Sequence, residues 1–190
     1  MTKRASNKFE RVPRDFYPTP YAPVLPLIKA LSPFPTRFIE PCAGEGHLIH
    51  WLTRHGHECV WAADVEPRDP LDLYRIQKMD ALDIDGEDVY MTGADTIITN
   101  PPWKWEMVSP MIEHLRNLAP TWLLLSADFK HNVRSEQHMK HCRSILSVGR
   151  VKWIAGSKHS GLDNAAWYEF VPGEPRKFSR FYPRVKKWET

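Results

Sequence analysis

The apolar positions of this chain fall into short runs, each stopped by a breaker, with stretches of helical spacing between them. "RFIE" in "RFIEPCAGEG", then "HECVWAAD", "ADTIITNPPW" and "PTWLLLSAD", read as buried strands. "YRIQKMDALD" holds a further short one. "HLIHWLTRHG" has apolar residues at helical spacing and stops on Gly56, a fitting residue just past a helix end. "KWEMVSPMIEHLRNLA" is amphipathic, and Pro110 is expected to bend it or end it early. Another helix is predicted from about Pro23 to Leu31, behind the proline-rich entry "DFYPTPYAPVLPLIKAL".

Strand and helix alternate through the first two-thirds, which predicts an α/β fold: a mostly parallel, doubly wound sheet with helices on both faces. The last two apolar runs, "SILSVGRVKWI" and "NAAWYEFVP", have no helix between them and are expected to close the sheet as an antiparallel hairpin. The organisation read from this is one Rossmann-like domain over 15–173, a basic arm over 1–14 and a basic tail over 174–190.

In such a sheet ligands bind beyond the carboxyl ends of the strands, and several strand ends here carry chemistry. "EPCAGEGHL" places small residues, Ala43, Gly44 and Gly46, where a ligand can approach the backbone closely. It is not a full dinucleotide fingerprint, so a pyrophosphate is not demanded, and Glu40 and Glu45 would repel one. The same acids suit a cationic ligand, an ammonium or a sulfonium. Asp64 ends the second strand, where an acid accepts hydrogen bonds from ribose hydroxyls. Asp80 ends the third and can accept from an exocyclic amine of a base; Asp83 or Asp85 could take that place instead. "NPPW" ends the fourth. The Asn100 side-chain oxygen and the Pro101 carbonyl can hold the two hydrogens of a planar amine and turn its lone pair outward. Trp103 can stack on the ring that bears the amine.

Charge changes the picture further. The net charge of +3 hides a strong segregation. Residues 1–14 hold five Lys/Arg and one acid, 128–160 seven and two, and 174–190 six and two. The rest is acidic by about ten charges. A basic rim on an acidic body suits a polyanion. Lys130, Arg134, Lys158, Arg176 and Lys177 are the candidate nucleic-acid contacts. The apolar runs are too short to span a bilayer, and the basic N-terminus lacks the apolar stretch of a secretory signal. Three cysteines without a CxxC make no disulfide framework, so a reducing cytoplasm is expected. Cys42 lies in the glycine turn and reads as a small packing residue. His131, His138, His141 and Cys142 are too loosely spaced for a metal site and read as exposed polar positions; no metal is expected.

In the order "DFYPTP", "EPCAGEG", "ADVEP", "DAL", "NPPW", the chain resembles the phage-type DNA N6-adenine methyltransferases over roughly residues 15–130. The resemblance implies S-adenosyl-L-methionine as cofactor and direct, in-line methyl transfer to an exocyclic base amine, most simply adenine N6 in DNA. It implies that Phe16, Tyr17 and Thr19 close over the methionine end. Glu40, Ala43, Gly44 and Gly46 line that end, Asp64 holds the ribose, and Asp80 holds the adenine. Asn100, Pro101 and Trp103 hold the target base. The chain departs from the pattern at Glu40, where many relatives have Asp, and at Cys42, where many have an aromatic. The stretch between Asp64 and Asp95 is too short for the separate target-recognition domain of larger members. Sequence reading would fall to "KHNVRSEQHMKHCR", the tail or a second copy in a homodimer. A host cytoplasm is the implied location. An RNA or protein amine as target, cytosine N4, and a non-catalytic nucleic-acid-binding module are the alternatives.

Overall fold

Both faces of the central strands are apolar, which forces a helical layer onto each. The computed structural model describes residues 17–31, 33–69, 71–153, 161 and 163–184. Its elements in chain order are α1 (Tyr21–Ala30), β1 (Arg37–Glu40), α2 (His47–Thr53), β2 (Glu58–Asp64), β3 (Gln77–Lys78), α3 (Gly86–Thr92), β4 (Thr96–Thr99), α4 (Trp105–Leu118), β5 (Thr121–Ser126), α5 (Glu136–Met139), β6 (Cys142–Arg150), β7 (Asn164–Phe170) and β8 (Arg180–Tyr182).

The strands form one sheet in the order β3-β2-β1-β4-β5-β7-β6-β8. β1 to β5 are mutually parallel, and β7 runs antiparallel to both of its neighbours, β5 and β6. The expected α/β sheet with a closing antiparallel hairpin is therefore what forms. Phe38, Ile98, Leu124 and Trp167 point to one face, against Val24 and Leu27 of α1 and Ile49 and Leu52 of α2. Ile39, Ile97 and Leu123 point to the other, against Met111, Ile112 and Leu115 of α4. The Trp167 indole N–H donates to the Pro23 carbonyl at 2.7 Å and pins α1 to β7. From β1 the chain winds outward through β2 and β3, then returns to build β4 and β5 on the other side. β1 and β4 thus flank a topological switch point, and their carboxyl ends open a crevice.

Four departures from the sequence reading have physical reasons. α1 starts at Tyr21 rather than near Pro23, because a proline in the first turn lacks only an N–H that had no helical partner. α4 runs through Pro110, so of the two expected outcomes, a bend or an early end, the early end does not occur; the bond lost is the one to the carbonyl of Glu106, an exposed residue. α3 has no buried residue, so no apolar stripe announces it. It is set by a capping box in which the Asp85 carboxylate accepts from the Glu87 and Asp88 N–H groups and Asp88 answers Asp85. Finally, β8 lies within the segment read as a basic tail; it pairs parallel with β6 through Ser144, Ile145 and Leu146. Among the described residues no helix is long and apolar enough to cross a membrane.

Candidate active site

The carboxyl ends of β1, β2 and β4 and the turn after β3 surround one cavity. Its wall includes Tyr17, Thr19, Glu40, Ala43, Gly44, Asp64, Asp80 and Asn100, which the sequence had marked one by one between residues 17 and 100. Phe16 and Lys158 lie outside the described residues.

The glycine turn is stapled to the end of β2. Gly44 takes a left-handed φ of +55°, open to glycine at no steric cost, and its N–H donates to Asp64 Oδ2 at 2.9 Å. The Glu66 N–H donates to Asp64 Oδ1 at 2.8 Å, and the Arg68 N–H to the Gly44 carbonyl at 2.9 Å. Each carboxylate oxygen keeps a lone pair beyond these bonds, so Asp64 can still accept from a diol in the cavity. Asp80 Oδ1 accepts from the Leu82 N–H at 3.0 Å. Asp80 and Ala81 line the cavity. Asp85 is taken up in capping α3.

Gly46 stands apart from the wall. It has φ +77°, and a Cβ there would lie 2.2 Å from the Tyr74 ring. The small residue admits Tyr74, whose hydroxyl meets His50 Nδ1 at 3.1 Å, and so lets the segment after β2 fold back over α2.

Glu40 is the deepest charged residue of the site. It is 1 % exposed and accepts from the Cys42 N–H at 3.0 Å. Burial pushes its carboxyl up to about 8, so it is mostly neutral at pH 7. Thr99 Oγ1 lies beside it and, among the described residues, is buried without a partner that meets hydrogen-bond geometry. The expected negative Glu40 is therefore a protonated acid until a cation or a donor reaches it. Cys42 lines the same wall, and burial with the adjoining Glu40 raises its thiol far above the ordinary range. It is no thiolate nucleophile.

The turn after β4 supplies the other end. Asn100 Nδ2 donates to Thr19 Oγ1 at 3.2 Å. Pro102 lines the cavity, while Pro101 is buried behind it. Trp103, expected at the target base, is not in the wall of this cavity; it lines a second pocket beside it, and its indole N–H donates to the Leu124 carbonyl at 2.9 Å. Trp103 stands edge-on to Trp153 at 5.6 Å, and Trp153 is 6.2 Å from Tyr17. Trp153, just past β6, went unmarked in the sequence, since a lone Trp after a strand carries no motif.

The basic residues divide into two groups. Arg134 and Lys130 follow β5 at the cavity end of the sheet; Arg134 sits 4.9 Å over the Trp105 ring and Lys130 4.9 Å over Phe181. Arg176 lies with Lys29, Arg143 and Arg180 around a cleft beside Trp122, at the opposite end of the strands, and Lys177 stands 5.6 Å over Phe178. The histidines differ from expectation too. His138 is buried, with Nε2 2.9 Å from Ser109 Oγ, and Cys142 is also buried. Among the described residues no cluster of three metal-ligating side chains occurs.

No protein-family model and no curated protein matches the chain. Solved structures do. A Pyrococcus horikoshii protein assigned as an RNA methyltransferase is 14% identical over 83% of this chain and 88% of its own, with a TM-score of 0.60. The methyltransferase subunit of a type I restriction-modification system from Streptococcus thermophilus is 12% identical, over 85% of this chain and 45% of its own, at 0.53. The M protein of the type I restriction enzyme EcoKI is 15% identical, over 83% and 47%, at 0.50. The chain spans less than half the length of the last two. What is shared at these identities is the fold, that of the class I S-adenosylmethionine-dependent methyltransferases.

Proposed function

We propose that this protein transfers a methyl group from S-adenosylmethionine to an exocyclic amine of a nucleobase, with adenine N6 in DNA as the first candidate. One observation carries the reading: Asn100 of the "NPPW" turn shares a cavity with Gly44, Asp64 and Asp80. A nucleoside-binding wall and an amine-holding side chain face the same space.

The wall fits the cofactor. The Gly44 turn presents backbone without a side chain, Asp64 suits a ribose diol, and Asp80 with Ala81 suits an adenine edge and face. Glu40 can ionise beside a positive charge. When bound there, the cofactor supplies an electrophilic methyl group. The chain's own residues do the rest by orientation and electrostatics. The Asn100 carbonyl oxygen accepts an amine hydrogen, localises the nitrogen lone pair and stabilises the positive charge that develops there. The amine proton leaves to water. Tyr17 offers ring surface to the target base, with Trp153 against it and Trp103 against Trp153. A base in a duplex must leave the stack to reach this depth, at a cost of a few kcal/mol.

A second reading, an RNA amine, is favoured by the chain spanning nearly all of the Pyrococcus protein, so no separate recognition domain is required. Incubation with labelled cofactor and, separately, duplex DNA, single-stranded DNA, tRNA and total protein decides among these. Nucleoside digestion then names the modified atom. Label appearing only in protein would overturn the base-amine reading.

A further inference from the structure

A second pocket opens beside Trp103, between the first turn of α4 and the turn after β5. Its wall includes Trp103, Trp105, Asp128, Phe129, Asn132 and Arg134, with Val108 and Leu125 as an apolar floor. We propose that it holds the nucleotide adjacent to the target on the same strand. This rests on the base-amine reading above and adds where the neighbouring base goes.

The aromatic part of the pocket is held rigid. Trp105 stacks on Phe129 at 6.1 Å with an interplanar angle of 26°, and His138 stands 5.7 Å from it on a bond to Ser109. Phe129 in turn packs edge-on against Tyr168 at 5.6 Å and Phe170 at 6.3 Å, both in the core. The Ser135 hydroxyl donates to the Phe129 carbonyl at 2.5 Å and closes the turn. Ring surface fixed in advance loses little freedom on binding.

The polar part matches a nucleotide better than a simple anion or an apolar chain. The Arg134 guanidinium, 4.9 Å over Trp105, is both a cation for a phosphate and a plane on which a base can stack. Asn132 accepts from the Arg134 N–H at 3.0 Å, which leaves its amide N–H groups to donate. The Asp128 carboxylate has no partner among the described residues and accepts only. It would repel a lone anion but receive N–H groups from a base edge. Guanine, with two adjacent donors on its pairing edge, fits best; thymine, with one donor between two acceptors, fits worst. The two pockets meet at the turn after β4, where Pro102 lines the first and Trp103 the second, so neighbouring residues of this turn would face neighbouring nucleotides of one strand.

The test uses short single strands containing one target adenine, with an abasic residue on its 5′ or its 3′ side. Affinity is read by fluorescence anisotropy, and methylation on the same strands. On one side only, removal of the base should weaken binding to the wild-type protein about tenfold, in the range known for base–aromatic stacking. Trp105→Leu should lose a similar factor on the intact strand and nothing further on the abasic one. Arg134→Gln, a change at an exposed side chain, repeats the cycle should Trp105→Leu fold poorly: it should lose its phosphate contact on both strands and a further factor only where the flanking base is present. Equal losses with and without the flanking base, or no effect of an abasic residue on either side, overturn the subsite. If strands are methylated while flank-insensitive, only the subsite fails. If no strand is bound or methylated, the base-amine reading fails with it.

Discussion

Asn100 and Thr19, far apart in sequence, meet across the mouth of the cavity, the Asn100 amide N–H donating to the Thr19 hydroxyl at 3.2 Å. Thr19 is itself buried, so the acceptor is fixed. The bond turns the amide so that its oxygen has no partner among the described residues and is free for a substrate amine. The entry segment before α1 thus orients the side chain at the end of β4.

Asn100→Ala should therefore leave cofactor affinity nearly unchanged and lower single-turnover methyl transfer by about two to three orders of magnitude, as for loss of one transition-state hydrogen-bond partner. Thr19→Val keeps the shape and removes the acceptor; it should cost about tenfold in turnover, since the amide is then oriented by packing alone. Calorimetry and rapid-quench assays separate the two quantities. Full activity in Asn100→Ala would end the "NPPW" argument.

Asp64 has a structural duty beside its expected ribose contact, because it staples Gly44 and Glu66 together. Asp64→Ala should weaken S-adenosylmethionine by at least about tenfold and also lower the melting temperature of the ligand-free protein, since two backbone donors lose a charged partner. A lowered melting temperature with intact affinity would restrict Asp64 to the staple.

Much of this site is legible in the sequence because each residue sits at a strand end, and strand ends in a parallel sheet converge. The run from Thr96 to Thr99 is buried throughout, so the following Asn100 and prolines could only lie at its mouth. What escaped reading depends on contacts between segments. Gly46 looks like a cofactor glycine, but its space is filled by Tyr74, and nothing local reveals that partner. α3 escaped because it is a polar helix held by its cap. Glu40 was read as an anion because its depth comes from the surrounding strands, which no motif records.

The depth of Glu40 makes two pH predictions. Its folded-state pKa of about 8 lies above an unfolded value of about 4.3. Between these the folded state holds the proton more tightly, so stability falls as pH rises across that window and levels off above it. Glu40→Gln should flatten this slope in thermal melts. If Glu40 ionises beside a bound sulfonium, cofactor binding at pH 7 should release close to one proton, and Glu40→Gln should release none. Titration calorimetry in two buffers of different ionisation enthalpy measures this. No release from the wild-type protein at pH 7 would mean that Glu40 stays neutral beside the ligand.

Gly46→Ala tests the packing account of that residue. The added Cβ would lie 2.2 Å from Tyr74, at a φ of +77° that L side chains rarely adopt. The substitution should destabilise the fold, and Tyr74→Ala in the same chain should restore part of the loss by removing the clash while leaving the backbone strain. Cofactor affinity of the double variant should exceed that of Gly46→Ala. A double variant as unstable as the sum of the two single changes would show that the ring contact does not matter.

The two groups of basic residues should respond differently to the length of a nucleic acid. Arg134 stands at the cavity end of the sheet, whereas Arg176 lines the cleft near Trp122 at the other end. A short strand seated at Asn100 cannot reach that cleft; a long duplex bent around the protein can. Joint replacement of Arg176 and Lys177 by Gln should leave short-strand affinity unchanged. With a long duplex it should flatten the dependence of log affinity on log salt by about two, one for each phosphate that is no longer neutralised. Arg134→Gln should flatten it by about one for both lengths. Anisotropy titrations over a range of salt concentrations give all these slopes. An unchanged slope with the long duplex would assign the Arg176 cleft to some other acidic partner, and a weaker affinity for the short strand would mean that the bound strand runs along the sheet edge rather than across its carboxyl ends.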